Sequence, residues 1–245
     1  MADHNQCMNC GSALHGPVCS QCGQKIALPF ETKRVAKDIW SHFLELDYKF
    51  VNAIRDLLTK PGYMINGYLS GRRIHYTNPF KFLFFTATAY YLIITYFDIQ
   101  LPFSKESQHT GEIVLVLLSY LIFVFLIPTA IAFKWIYNKV GMNVAEAYVT
   151  ICYLWSGYLL IAIAFAVICL PWIEYYLLVR TVLGIVFIII ATRQMFSLTW
   201  PLAIAKGLTI AFAYFLSSML VMSILIFISY LIGFEPLMIP PPSAN

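Results

Sequence analysis

VAEAYVTICYLWSGYLLIAIAFAVICLPW, residues 144–172, carries a single charge, Glu146, close to its start. A helix rises about 1.5 Å per residue, so roughly 20 apolar residues cross a hydrocarbon core of about 30 Å. The stretch therefore predicts a membrane-spanning helix that opens near Val144 and stops at the Pro171-Trp172 pair. Glu146 suits the positive end of such a helix.

Working outward, the same criterion selects four more stretches: Pro79 to Phe97, Ile113 to Tyr137, Tyr175 to Thr192 and Pro201 to Phe234. Asn78 is placed to cap the first, with Pro79 at its first helical position. Pro128 predicts a kink in the second, and the length of the last predicts tilt or projection beyond the bilayer. The composition agrees: 60% of the 245 residues are hydrophobic and 11% are charged, with a mean hydropathy of +0.74. Soluble domains hold about 45–50% apolar and about 25% charged residues. The fold class expected is an all-α integral membrane protein with five transmembrane helices, and a soluble enzyme is excluded.

Lysine and arginine fix an orientation, because cytoplasmic loops near helix ends are enriched in positive charge. With the N-terminus inside, 14 of the 16 fall on the cytoplasmic side, and Lys105 and Arg180 alone fall outside. The opening MADHNQCMNCGSALHGP lacks the apolar core of a secretory signal. The expected location is the inner (cytoplasmic) membrane of a bacterium, multi-pass, with the C-terminal EPLMIPPPSAN outside. Arg180 is expected to snorkel to the outer interface. Ala162 with Ala166 and Gly207 with Ala211 offer small residues at four-residue spacing, which suits close helix packing.

Cys7, Cys10, Cys19 and Cys22 form a C-x2-C-x8-C-x2-C array. Two paired turns of this kind can surround a tetrahedral metal, and four thiolates favour structural Zn2+. Gly11 and Gly23 follow the second cysteine of each pair, where positive φ lets amides face the sulfurs. Disulfides are disfavoured in a cytosolic segment, and with an iron centre and a redox dithiol they are the alternatives to zinc. Four protein ligands leave no position for water or substrate, so no catalytic residue and no further cofactor is expected. His4 and His15 are read as loop histidines, and Cys152 and Cys169 as small apolar packers.

Four segments follow: 1–28, a zinc ribbon; 29–78, an amphipathic helical connector at the cytoplasmic face; 79–235, the five-span domain; and 236–245, an external tail. In the connector Ile39, Phe43, Leu46, Phe50, Ile54 and Leu57 recur at three- and four-residue intervals, a stripe that needs either lipid or the span bundle as its partner. His42, Glu45 and Asp47 do not share one face and are not read as a site. Pro61-Gly62 opens a second short helix ending near Gly71. Arg72 and Arg73 just before a span fit anionic headgroups, and nucleic acid is disfavoured as a partner.

The order Cys7-x-x-Cys10-Gly11, Cys19-x-x-Cys22-Gly23-Gln24, HFLELDYKF, Asp56-Leu-Leu-Thr-Lys-Pro-Gly62, Tyr68-x-x-Gly71-x-Arg73 and Asn78-Pro79-Phe80 resembles a bacterial membrane family catalogued as domain of unknown function 3667. The resemblance covers residues 7 to about 97 and implies no activity. The five-span part, with Glu146-Ala147 opening span three, loosely resembles the Yip1-type proteins of vesicle trafficking.

Span centres free of charge, together with closed metal coordination, lead to a non-enzymatic membrane scaffold or adaptor. Its ribbon binds a cytosolic protein or docks on its own membrane domain. The alternative is a small transporter or lipid-handling permease acting as a homo-oligomer, its polar path lined by Tyr90, Tyr91, Thr95, Tyr120, Tyr153, Ser156 and Tyr158. A hydrated pocket favours the second reading and a packed interior the first.

Overall fold

A computed structural model describes residues 6–7, 9–14, 16–23, 48–97, 108–138, 141–168 and 175–231. The upstream half of the connector with Ile39, Phe43 and Leu46, the residues His4, His15 and Cys169, and the C-terminal tail lie outside the described residues. Among the described residues seven helices follow the cysteine segment: α1 (Tyr48–Thr59), α2 (Pro61–Leu69), α3 (Pro79–Tyr96), α4 (Gln108–Ile136), α5 (Val144–Ile168), α6 (Tyr176–Phe196) and α7 (Trp200–Leu231).

Among the described residues three helices are long and apolar enough to cross a membrane, over Val144–Ile168, Tyr176–Phe196 and Trp200–Val221. They turn large apolar side chains outward, among them Leu178, Val182, Leu208, Phe212 and Phe215, as a lipid-facing surface does. α3 and α4 form where the first two spans are expected. α3 is less apolar, with Lys81, Tyr90, Tyr91 and Tyr96 among its 18 residues, and the described apolar part of α4 is the shorter Leu121–Ile136.

The ends of these helices follow local chemistry. Asn78 accepts from the Phe80 amide at 3.0 Å, with Pro79 in the first turn of α3. Asn143 and Glu146 bond reciprocally at the start of α5: the Glu146 amide donates to Asn143 Oδ1 at 2.8 Å, and the Asn143 amide to Glu146 Oε2 at 2.9 Å. This is a capping box, which satisfies two orphan amides at once. Pro128 lies inside α4 without ending it. α6 runs four residues past the predicted Thr192 and stops where Ser197 turns left-handed (φ 49°), its chain closed by the Leu198 amide on the Arg193 carbonyl.

α3 packs on α5, α4 on α5 and α7, and α6 on α5 and α7. Close approach depends on missing side chains. A Cβ on Gly157 would stand 2.3 Å from the Phe187 ring, one on Gly184 2.2 Å from Tyr158, and one on Gly207 2.5 Å from Ile189. Ala162 and Ala166 are fully buried, as their spacing predicts, and so is Cys152. Between α4, α5, α6 and α7 a cavity of about 10 Å³, lined by Thr129, Leu154, Trp155 and Tyr214, is no larger than one water.

Candidate metal centre and helical collar

The four predicted cysteines come together. Their sulfurs all lie within 4.8 Å of one another, and the Cys7–Cys22 and Cys10–Cys19 pairs are both 3.6 Å apart. A disulfide needs about 2.05 Å, whereas sulfurs bound at about 2.3 Å to a tetrahedral ion sit roughly 3.8 Å apart. The spacing therefore fits a shared metal and not two disulfides. Gly11 (φ 76°) and Gly23 (φ 70°) occupy the left-handed region after each pair, and their amides return to the Cys7 and Cys19 carbonyls at 2.8 and 2.9 Å. These two turns bring the paired thiols to one point. A backbone bridge from Gln6 to Ala13 closes the first half.

Ser12 is a member of this cluster that the cysteine spacing does not reveal. Its hydroxyl lies 2.8 Å from Cys10 Sγ and 3.2 Å from Cys19 Sγ, and its one proton serves one sulfur at a time. That hydrogen bond is the largest influence holding both thiols below their usual range, Cys19 down to about 6. Thiolate is the form that binds metal, and two of the four donors are shifted toward it.

The second assembly is a collar built by α1, α2 and the turn before α3. On α1 the residues Phe50, Ala53, Ile54 and Leu57 face inward, and Ala53 and Leu57 are fully buried. Phe50 meets Phe82 and Phe85 of α3 at ring-centroid distances of 5.0 and 6.0 Å. This part of the amphipathic stripe thus takes the helix bundle as its partner. α2 is pinned to the end of α6: the Gly62 amide donates to Gln194 Oε1 at 3.1 Å and Asn66 Nδ2 to the Met195 carbonyl at 2.7 Å. The approach is so close that a Cβ on Gly62 would lie 2.4 Å from Gln194 Cβ and 2.5 Å from backbone atoms of Ala191 and Met195.

The remaining motif positions serve the same joint. Tyr153, fully buried in α5, donates its hydroxyl to the Thr77 carbonyl at 2.6 Å, and its ring meets Tyr68 edge-on at 5.2 Å. Gly71 adopts φ 110°, a turn closed to side-chain-bearing residues, and Arg73 folds back over the Tyr68 ring at 5.8 Å. Tyr76 donates to Asp56 Oδ2 at 3.0 Å. Burial first, and that bond second, push the Tyr76 phenol up to about 12, so the donor keeps its proton at neutral pH.

Residues 47–91 match the model of a family described as a protein of unknown function, DUF3667. The chain carries the DUF3667 segment. That match spans α1, α2 and most of α3, so the DUF3667 segment is the collar together with the helix it leads into. Asp56, Gly62, Tyr68, Gly71, Arg73 and Asn78, the motif positions, all make the contacts just described. The match does not reach the cysteines or the later helices, where the Yip1-type likeness was drawn. No curated protein and no solved structure matches the chain.

Two other sequence expectations meet the structure here. Of the residues proposed for a polar path, Tyr153 bonds to Thr77, Ser156 bonds to its own helix at the Cys152 carbonyl, 2.8 Å, Thr95 is exposed, and Tyr90 and Tyr158 meet at Arg180. Arg180 does not simply reach outward. Its guanidinium lies among the rings of Tyr90, Tyr158 and Tyr176, which α3, α5 and α6 bring together.

Proposed function

We propose that this protein is a non-enzymatic membrane scaffold of the bacterial inner membrane. In this reading α3 to α7 are five spans, the N-terminus is cytoplasmic and the C-terminus outside. Cys7, Cys10, Cys19 and Cys22 hold one structural Zn2+, and the ribbon so formed binds a cytosolic protein or the chain's own membrane domain. Zinc would supply a cross-link between the two cysteine turns, with its shell filled by the four thiolates.

The observation that carries the reading is the docked collar. It seats the DUF3667 segment on one end of the bundle, and the ribbon precedes that segment in the chain. Lys60, Arg72, Arg73, Lys81, Lys134, Arg193 and Lys206 gather at the same end, against only Asp56 and Glu146 among the described side chains. A cytoplasmic face is enriched in such charge, and Arg72 and Arg73 there suit anionic headgroups. Lys206 also caps α4 by donating to the Ile136 carbonyl at 3.1 Å. The interior beside Trp155 and Tyr214, whose ring centroids are 3.8 Å apart, has room for about one water, which supports a packed scaffold over an oligomeric permease.

The test is affinity purification in mild detergent of the intact chain and of Cys19→Ser. A retained cytosolic protein that disappears in Cys19→Ser, with membrane insertion unchanged, is the expected result. Identical retained proteins in both would remove the ribbon from the function. Orientation is checked separately: a cysteine at Ser104 should react with an impermeant thiol reagent in intact cells, and one at Asn138 should not.

A further inference from the structure

Arg180 stands apart from every other described cation. It lies one helical turn inside the Tyr176 end of α6, at the pole opposite the collar. Its guanidinium is 5.6 Å from the ring centre of Tyr158, 5.8 Å from that of Tyr176 and 6.0 Å from that of Tyr90. It donates through Nη1 to the Tyr90 hydroxyl. Three different helices build this cage. Tyr176 is held by its own hydroxyl, which donates to the Ala162 carbonyl at 3.3 Å, and Tyr158 lies where Gly184 leaves room for its ring.

Among the described residues the cage has no negative charge. Arg180 Nε is shielded and has no hydrogen-bond partner. The acids with described side chains, Asp56 and Glu146, both belong to the opposite pole. A guanidinium does not shed its proton in proteins, and aromatic faces attract a cation without neutralising it. An unneutralised charge at the edge of a hydrocarbon layer calls for a counter-ion. The residue keeps partial exposure, so one side of the cage is open.

The level of the site indicates which anion. At about 1.5 Å per residue, Arg180 sits roughly 6 Å below the end of α6, and tyrosines gather at such depths because headgroups and chains meet there. The planar donor fork of arginine matches phosphate oxygens in pairs. Tyr90 accepts from Arg180 on oxygen, and its hydroxyl also lies within bonding reach of Tyr176. We propose that Arg180, with the Tyr90 and Tyr158 hydroxyls, binds the phosphate of an anionic phospholipid in the leaflet at this pole. Free inorganic phosphate shares that chemistry, and the arms of the test separate the two.

The full-length protein in a non-ionic detergent would be titrated with dioleoylphosphatidylglycerol, with dioleoylglycerol and with sodium phosphate, following the thermal midpoint. Phosphatidylglycerol should raise the midpoint by several degrees, and neither of the other two should. Arg180→Gln should lose the larger part of that rise, and Arg180→Lys, which keeps the charge without the fork, should fall between Arg180→Gln and the wild type. An equal rise in Arg180→Gln would overturn the site, and an equal rise with sodium phosphate would overturn the lipid. Destabilisation by Asp98→Asn or Glu174→Gln as large as that of Arg180→Gln would assign the counter-ion to the chain itself, also against the proposal. Should Arg180→Gln fail to fold, Tyr90→Phe keeps the ring and removes the hydroxyl. Native mass spectrometry should then show several-fold less bound phosphatidylglycerol, and unchanged occupancy would contradict the assignment.

Discussion

The ribbon and the collar sit close in sequence and hold their shape by opposite means. In the ribbon the decisive partners are 15 and nine residues apart, Cys7 with Cys22 and Cys10 with Cys19, and there is almost no apolar interior. In the collar the decisive partners are 132 and 129 residues apart, Gly62 with Gln194 and Asn66 with Met195, and the interior is Leu57, Ile65, Phe82 and Tyr153, each buried. A segment of some 20 residues cannot bury enough to fold unaided, so its stability has to come from metal. The collar borrows the core of the helix bundle. Chelation should therefore act on one and packing mutations on the other.

The largest effect expected is on the ribbon. Structural zinc in small cysteine sites is worth about 10 kcal/mol or more near neutral pH, so a strong chelator should release one metal per chain. It should also expose Cys7, Cys10, Cys19 and Cys22 to a thiol reagent that leaves buried Cys152 untouched. Thiols that are already reactive before chelation would break the comparison on the ribbon side.

Next in size is Gly62→Val. No rotation relieves a Cβ set 2.5 Å from the Ala191 and Met195 backbone, and forced overpacking costs about 3 kcal/mol at the upper end of its usual range. α2 should lift from α6, seen as faster proteolysis at Lys60 and Arg72 in detergent, while metal content stays unchanged. Wild-type cleavage rates would show that the collar is not docked there.

Tyr153→Phe is milder. It keeps the ring against Tyr68 and removes the 2.6 Å bond to Thr77, leaving a carbonyl short of a partner at about 1 kcal/mol. A thermal midpoint lower by a few degrees is the expected reading. Asn143→Ala removes one half of the α5 capping box and should cost at most about 1 kcal/mol. A loss larger than that of Gly62→Val would mean the joint depends on α5 and not on the α2–α6 contact.

The same contrast explains what the sequence made legible. Cys7 to Cys22, the Asn78-Pro79 start of α3 and the positions of α3 to α7 are local signals, set by spacing, capping and hydropathy, and each appears where it was expected. Asn143 is legible too, as Asn-x-x-Glu before an apolar run, a signal that Glu146 alone does not convey. Gln194 carried no such signal. It sits just past the predicted end of its span, and only the packing of α2 on α6 gives it a partner. The tyrosine cage around Arg180 was hidden for the same reason, since its members come from three helices whose rotation no periodicity fixes. Phe50, Ile54 and Leu57 were recognisable as a stripe, but its destination, protein and not lipid, depended on Phe82 and Phe85 lying beneath it.

Hydrogen exchange on the full-length protein in detergent, with and without chelator, tests the separation most directly. The account predicts that amides of residues 6–23 lose protection when metal is removed, while those of α1, α2 and α3 exchange at unchanged rates. Loss of protection throughout 48–97 on chelation, or a ribbon that stays protected without metal, would contradict it.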